Sequence, residues 1–174
     1  SVRQRLYKET YRAELRPPET FEEYNRIASF FTRRLNPSSP VNFGSTLTLG
    51  NTGVAATEFL ARYFSLTDHL FDPEDNILLT SEEAVRALEL LVAVRQYAPP
   101  TYCNWWRDTS RLFAQGDVAM TVLFSNYASE MLDRDSKVHT RIGYAMVFGQ
   151  RSHLFPPVGE GCRTLAAVDA DAGH

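Results

Sequence analysis

The sequence has little cysteine: Cys103 and Cys162 are its two. Two thiols cannot build a disulfide scaffold or a cysteine zinc site; at most they form one bridge. Long apolar runs are missing, and none approaches the roughly 18 residues of a membrane span. An excess of one charge is missing too. Eighteen Lys and Arg stand against 21 Asp and Glu, a net charge of −3, which argues against nucleic acid as a partner. There is no Gly-rich phosphate loop, no HExxH and no serine-nucleophile motif, so no enzyme is indicated and no cofactor is expected. The histidines, His69, His139, His153 and His174, show no metal-ligand spacing and read as exposed loop residues. Internal repeats and low-complexity stretches are absent.

What is present is globular. Hydrophobic residues make up 44% and charged residues 22%, which excludes wholesale disorder. A length of 174 residues fits one compact domain, or at most one and a half. The chain opens Ser-Val-Arg-Gln-Arg, with neither initiator Met nor apolar signal segment, and closes Asp-Ala-Asp-Ala-Gly-His just past a strand-like run, Thr164 to Val168. It is expected to be a processed product or a piece of something longer.

Three Pro-Pro pairs mark boundaries, because proline cannot continue a helix and restricts its predecessor. Pro17-Pro18 and Pro99-Pro100 separate helices, and Pro156-Pro157 separates the main domain from a tail. Thr20 and Glu23 form a capping box ahead of Phe21, Tyr24, Ile27, Ala28, Phe31 and Leu35 at helical spacing. A second helix is expected from Thr52 to about Phe64. A third should start at Thr80, with Glu83 three residues on, and run toward Gln96. A fourth carries Trp105 or Trp106, Thr109, Leu112 and Phe113 and stops at Gly116, which suits the left-handed residue after a helix.

Strands alternate with these helices. Val41–Leu49 alternates in polarity. Val118–Phe124 and Ile142–Phe148 are apolar on both faces, as in mid-sheet strands covered by helices. The fold class is therefore α/β, helix-rich, with a small mixed or parallel central sheet in a three-layer lobe.

Most charged clusters have ordinary readings. Asp133-Arg134-Asp135 reads as a solvated helix end. Asp72-Pro73-Glu74-Asp75-Asn76 lacks the spacing and glycine of a calcium loop and reads as a turn. Cys103 has no evident His partner and reads as packing. Gly159-Glu160-Gly161 follows no strong strand and reads as a turn.

The aromatics carry more. Tyr102, Trp105 and Trp106 crowd a loop-to-helix junction, and Tyr127 follows a buried strand beside Ser125 and Asn126. Asn51 and Thr52 sit at another strand-to-helix junction. In open α/β sheets ligands bind at the carboxyl ends of strands, where helix N-termini present free N–H groups. Aromatic faces with amide side chains suit a neutral polyhydroxylated ligand. The ordinary alternative for any one of Trp105, Trp106 and Tyr127 is a place in the core.

The order of motifs resembles the family 1 extracellular solute-binding proteins, the sugar-type receptors of ABC importers. Leu6-Tyr7-Lys8-Glu9 followed by Pro17-Pro18-Glu19-Thr20-Phe21-Glu22-Glu23-Tyr24 is similar to the family's approach to its second lobe, with Phe21 in place of Trp. Ser81–Glu89 is similar to the long second-lobe helix. Phe113-Ala114-Gln115-Gly116-Asp117-Val118-Ala119-Met120 matches every defined position of Phe-x-x-Gly-x-x-Ala-Met, and Ile142–Phe148 resembles the strand after the next short helix. The tail Val158-Gly159-Glu160-Gly161 resembles the family's return segment, with Glu160 interrupting its Gly-Gly.

The resemblance implies one lobe of the periplasmic binding protein type II fold. Residues 1–155 would be the second lobe and 156–174 a truncated return segment toward the missing first lobe. It implies capture of a small polar solute, a saccharide above all, in an interlobe cleft that closes like a hinge and is read by a membrane permease. The expected location is extracytoplasmic, in a periplasm or lipid-anchored at a cell surface. The ligand-binding residues it implies are Asn51, Thr52, Trp105, Trp106, Asn126 and Tyr127, with Asn126 and Tyr127 where the family commonly has a sugar-stacking Trp. An alternative is a ligand-sensing domain of a regulatory receptor with the same fold. A Cys103–Cys162 bridge is a further expectation.

Overall fold

The computed structural model describes residues 2–101, 103–147 and the backbone of 164–169. Pro156-Pro157, His153, His174, Cys162 and the 158–161 segment lie outside the described residues, as does the Cys103–Cys162 pairing. Cys103 itself is buried.

The first helix, α1 (Val2–Tyr11), lays Tyr7 edge-on against Phe30 at 5.2 Å. Its last helical bond runs from the Arg12 N–H to the Lys8 carbonyl at 2.9 Å, and the left-handed φ of 52° at Arg12 then turns the chain out of the helix. Helix α2 (Phe21–Phe30) starts at Thr20, whose hydroxyl accepts from the Glu23 N–H. The Glu23 carboxylate reaches back one residue further than a capping box predicts, to the Glu19 N–H at 2.8 Å. The buried face of α2 carries the expected Phe21, Tyr24, Ile27 and Ala28 and adds Phe30; the helix ends before Phe31, which is buried, and Leu35, expected on the stripe, lies beyond it and is exposed.

Strand β1 (Phe43–Ser45) is shorter than the Val41–Leu49 run predicts. One edge pairs with β2 (Val118–Phe124) in parallel; at the other, the Gly44 and Ser45 N–H groups donate to the Tyr97 carbonyl. Beyond Ser45 the pairing with β2 gives way to hydroxyls and one bridge: Thr46 bonds Thr121 at 2.6 Å, Thr48 bonds Thr109 at 2.7 Å, and the Thr48 backbone bridges Cys103 in parallel. Gly44 lies directly on α2, where a Cβ would fall 1.7 Å from the Ala28 carbonyl oxygen.

Three helices lie between β1 and β2: α3 (Thr52–Tyr63), α4 (Glu82–Val94) and α5 (Trp106–Ala114). Ser81, not Thr80, caps α4: its hydroxyl accepts from the Ala84 N–H, three residues on. Arg62 of α3 is 2% exposed, pairs with Glu58 at 2.8 Å and stacks over Phe21 at 4.7 Å, so its buried charge has both a counter-ion and an aromatic face. Gly116, at φ +78°, ends α5 as expected.

After β2 come a 3₁₀ turn (Ser125–Tyr127), the short α6 (Ala128–Leu132), β3 (Ile142–Met146) and β4 (Thr164–Asp169). The sheet order is β1-β2-β4-β3, with β4 antiparallel to both neighbours, so the sheet is mixed. This corrects the mid-sheet expectation for Ile142–Phe148. Strand β4 takes the place beside β2, leaving β3 at the margin with Tyr144 and Met146 exposed. Strand β2 joins two apolar clusters, giving Ala119 and Met120 to that of α2 and Val118 and Leu123 to that of Phe113 and Met131. This is the helix–sheet–helix layering of an α/β lobe. No helix among the described residues is long and apolar enough to cross a membrane. His69 and His139 are exposed, and the Asp72 carboxylate organises its turn by accepting from the Glu74 and Asn76 N–H groups.

Candidate functional site

Parallel pairing of β1 and β2 puts their carboxyl ends on the same side of the sheet. From β1 the chain runs to Asn51 and Thr52; from β2 it runs straight into Ser125–Tyr127. The third junction, ahead of α5, is tied to the first by backbone. Cys103 donates to the Leu47 carbonyl at 3.3 Å, and Gly50 donates to the Cys103 carbonyl at 3.1 Å. Asn51 Nδ2 donates to the Asn104 carbonyl at 3.3 Å. Asn51 and Thr52 thus share a border with Trp105 and Trp106.

The tryptophans link that border to β2. Trp105 and Trp106 have ring centroids 4.6 Å apart, and Trp106 meets Phe124, the last residue of β2, edge-on at 4.9 Å. Trp106 and Tyr127 pack in part against the Phe113–Met131 cluster. The core alternative therefore holds for one side of each ring. Trp105 is different, with 46% of its surface exposed. Asn51, Thr52 and Asn126 are exposed. Tyr102 lies outside the described residues.

Asn51 has a structural duty. Its Oδ1 accepts from the Val54 N–H at 3.1 Å, capping α3, while its Nδ2 holds Asn104. Residues that sequence reasoning passed over complete the arrangement: Gly50, Asn104, Phe124 and Glu130. The position of Asn104 directly before the tryptophans was its available signal.

The charged side chains at this junction are paired internally. Asp108 accepts from the Trp105 N–H at 3.0 Å, and Arg107 Nε lies 2.9 Å from Glu130 Oε1. The other Glu130 oxygen bonds the buried Ser110 hydroxyl. Burial raises the Cys103 thiol pKa above its ordinary value, keeping it protonated. Among the described residues no group of His, Cys, Asp and Glu could hold a metal ion. A cavity of about 550 Å³ opens toward the carboxyl end of α5, lined by Arg111, Gln115, Glu130, Asp133 and Lys137, and shares only Glu130 with the aromatic junction. The surface left at the junction is aromatic and amide-rich, which is suited to covering C–H faces and bonding hydroxyl groups.

No family model and no curated protein matches the chain. Solved structures match its fold. An ABC transporter solute-binding protein from Agrobacterium radiobacter K84, in complex with ribitol, superposes with a TM-score of 0.70 at 20% identity, over 98% of this chain and 41% of that one. A solute-binding protein from Agrobacterium vitis S4 with bound D-mannitol gives 0.64 at 20% identity, over 97% and 40%. Maltose-bound T. maritima MalE3 gives 0.67 at 18% identity, over 96% and 41%. The chain spans about two fifths of the length of these proteins, and the likeness is one of fold.

Proposed function

We propose that this chain, which has the fold of part of an ABC transporter solute-binding protein, is the second lobe of such a receptor. It would provide one wall of a cleft for a neutral polyhydroxylated solute, a sugar or a linear polyol. The observation that carries the reading is the meeting of three junctions at the carboxyl ends of β1 and β2, with Trp105 presented to solvent above Trp106 and Phe124. Arg107 and Glu130 neutralise each other, and the Asp108 carboxylate is occupied by the Trp105 N–H, which favours a neutral ligand over an amino acid or a peptide. The ribitol, D-mannitol and maltose bound by proteins of the same fold are ligands of that class.

In this reading Trp105 stacks on the solute, Trp106 and Tyr127 set its plane, and Thr52 and Asn126 bond hydroxyl groups. Asn51 shapes the edge it caps. No acid–base chemistry is assigned. The receptor would work outside the cytoplasm and hand its solute to a permease.

The test is a titration of the protein with ribitol, D-mannitol and maltose, read by tryptophan emission and by melting temperature. A ligand that binds the folded state raises the midpoint with concentration. A sugar or polyol that shifts both readouts in a parent protein carrying the first lobe, and moves this lobe alone far less, supports the reading. No response to any of them in the parent overturns it.

A further inference from the structure

The turn Ser125–Tyr127 and the five-residue α6 carry two of the proposed site residues, yet neither has a side-chain cap. A helix this short does not hold its own shape or place in water, so tertiary anchors must fix it. Two are present. Met131 is 3% exposed and locks one side of α6 into the cluster with Phe113, Val118 and Leu123. Beside it, Glu130 spans to α5 with both carboxylate oxygens engaged, one by Arg107 Nε at 2.9 Å and one by Ser110.

The two arms differ in strength. Arg107 is 60% exposed, and an ion pair in that setting contributes little. Ser110 is fully buried, and its hydroxyl lies within reach of both the Arg107 carbonyl, at 3.0 Å, and the Glu130 carboxylate. A hydroxyl has one proton, and the ionised carboxylate is the stronger acceptor. The Ser110 arm therefore sets the position.

We propose that Glu130 is a positioning residue of the solute site: it clamps the Asn126–Tyr127 turn against the tryptophan-bearing helix. Tyr127 lies one turn before Glu130, and Trp106 stands immediately before Arg107. The clamp thus fixes the distance between the two aromatic walls. The inference rests on the solute-binding reading for its purpose, but its geometry can be tested without a ligand.

The chain has two tryptophans, both at this junction, so emission reports on it alone. Glu130→Ala is expected to shift emission to the red and raise acrylamide quenching, because Tyr127 and Trp106 share the Phe113–Met131 cluster and a released turn loosens that packing. In the parent protein carrying the first lobe, D-mannitol affinity should fall roughly tenfold, the size of effect expected when binding groups lose preorganisation. Ser110→Ala should move the same readouts in the same direction. Glu130→Gln should lie between them and wild type, since its amide oxygen still accepts from Ser110. If Glu130→Ala does not fold, Ser110→Ala decides. A lower melting temperature with unchanged folded-state emission and quenching would mean structural support only and would overturn the clamp. If the parent protein carrying the first lobe ignores every sugar and polyol, the solute reading fails, while the emission comparison on this lobe still decides the clamp.

Discussion

A Cβ added to Gly50 would sit 2.1 Å from the Asn104 Cα, so these two stretches of backbone touch with no room for a side chain between them. The contact joins the end of the β1 run to the loop that launches the tryptophans. Gly50→Ala must push that loop away. The expected cost is about 1–3 kcal/mol of stability, the range for overpacking a tight contact. Solute affinity should fall beyond what the lower stability explains, because Trp105 and Asn51 shift apart. Melting temperature and titration on the same sample separate the two effects.

Trp105 and Trp106 are neighbours in sequence with opposite expected phenotypes. Trp105 is 46% exposed, so Trp105→Ala should leave the melting temperature nearly unchanged and weaken solute binding roughly tenfold through loss of a stacking face. Trp106 bridges Trp105 and Phe124 and joins the Phe113 cluster. Trp106→Ala should cost about 2–3 kcal/mol of stability, somewhat below a fully buried aromatic. Calorimetry of the two variants with and without D-mannitol checks both.

Much of this fold was legible because several elements rest on local chemistry. Thr20 and Gly116 fix helix ends by capping or by a left-handed φ, and the sequence shows both. The run 118–124 gave its strand to the residue. What was not legible depends on partners distant in sequence. Nothing in Ile142–Met146 says that a strand from residues 164–169 will lie beside β2 and leave Tyr144 exposed. The double role of Asn51 was hidden in the same way, because its Nδ2 partner is 53 residues away. Nothing in the sequence marks Glu130 out; its role lies in contacts with Ser110 and Arg107, 20 and 23 residues away.

Asn51 allows capping to be separated from bridging. Asn51→Ala removes both and should cost about 1 kcal/mol, as N-cap losses do. Asn51→Asp keeps an oxygen for the Val54 N–H and places a negative charge at a helix N-terminus, which is favourable. It loses the donor to the Asn104 carbonyl. Stability close to wild type with weakened solute binding is expected for Asn51→Asp. Equal stability loss in both variants would show that the bridge to Asn104, not the cap, is what the fold needs.

Asp72 supplies the pH-dependent case. Its carboxylate accepts from the Asn76 side chain at 3.0 Å and from the Asn76 and Glu74 N–H groups, and these bonds to the charged form hold its pKa below the usual carboxylate value. A group whose folded pKa is lowered contributes stability above its unfolded pKa and loses it as pH falls through the folded one. The 72–76 turn should therefore be intact at neutral pH and loosen only below the ordinary aspartate range. Asp72→Ala should show the loosened turn at every pH. Amide hydrogen exchange at Glu74 and Asn76, measured across acidic pH and corrected for intrinsic rates, checks this. Protection that persists unchanged in Asp72→Ala would assign the turn to its backbone bonds, Asp72 N–H to the Asn76 carbonyl and Asp75 N–H to the Asp72 carbonyl.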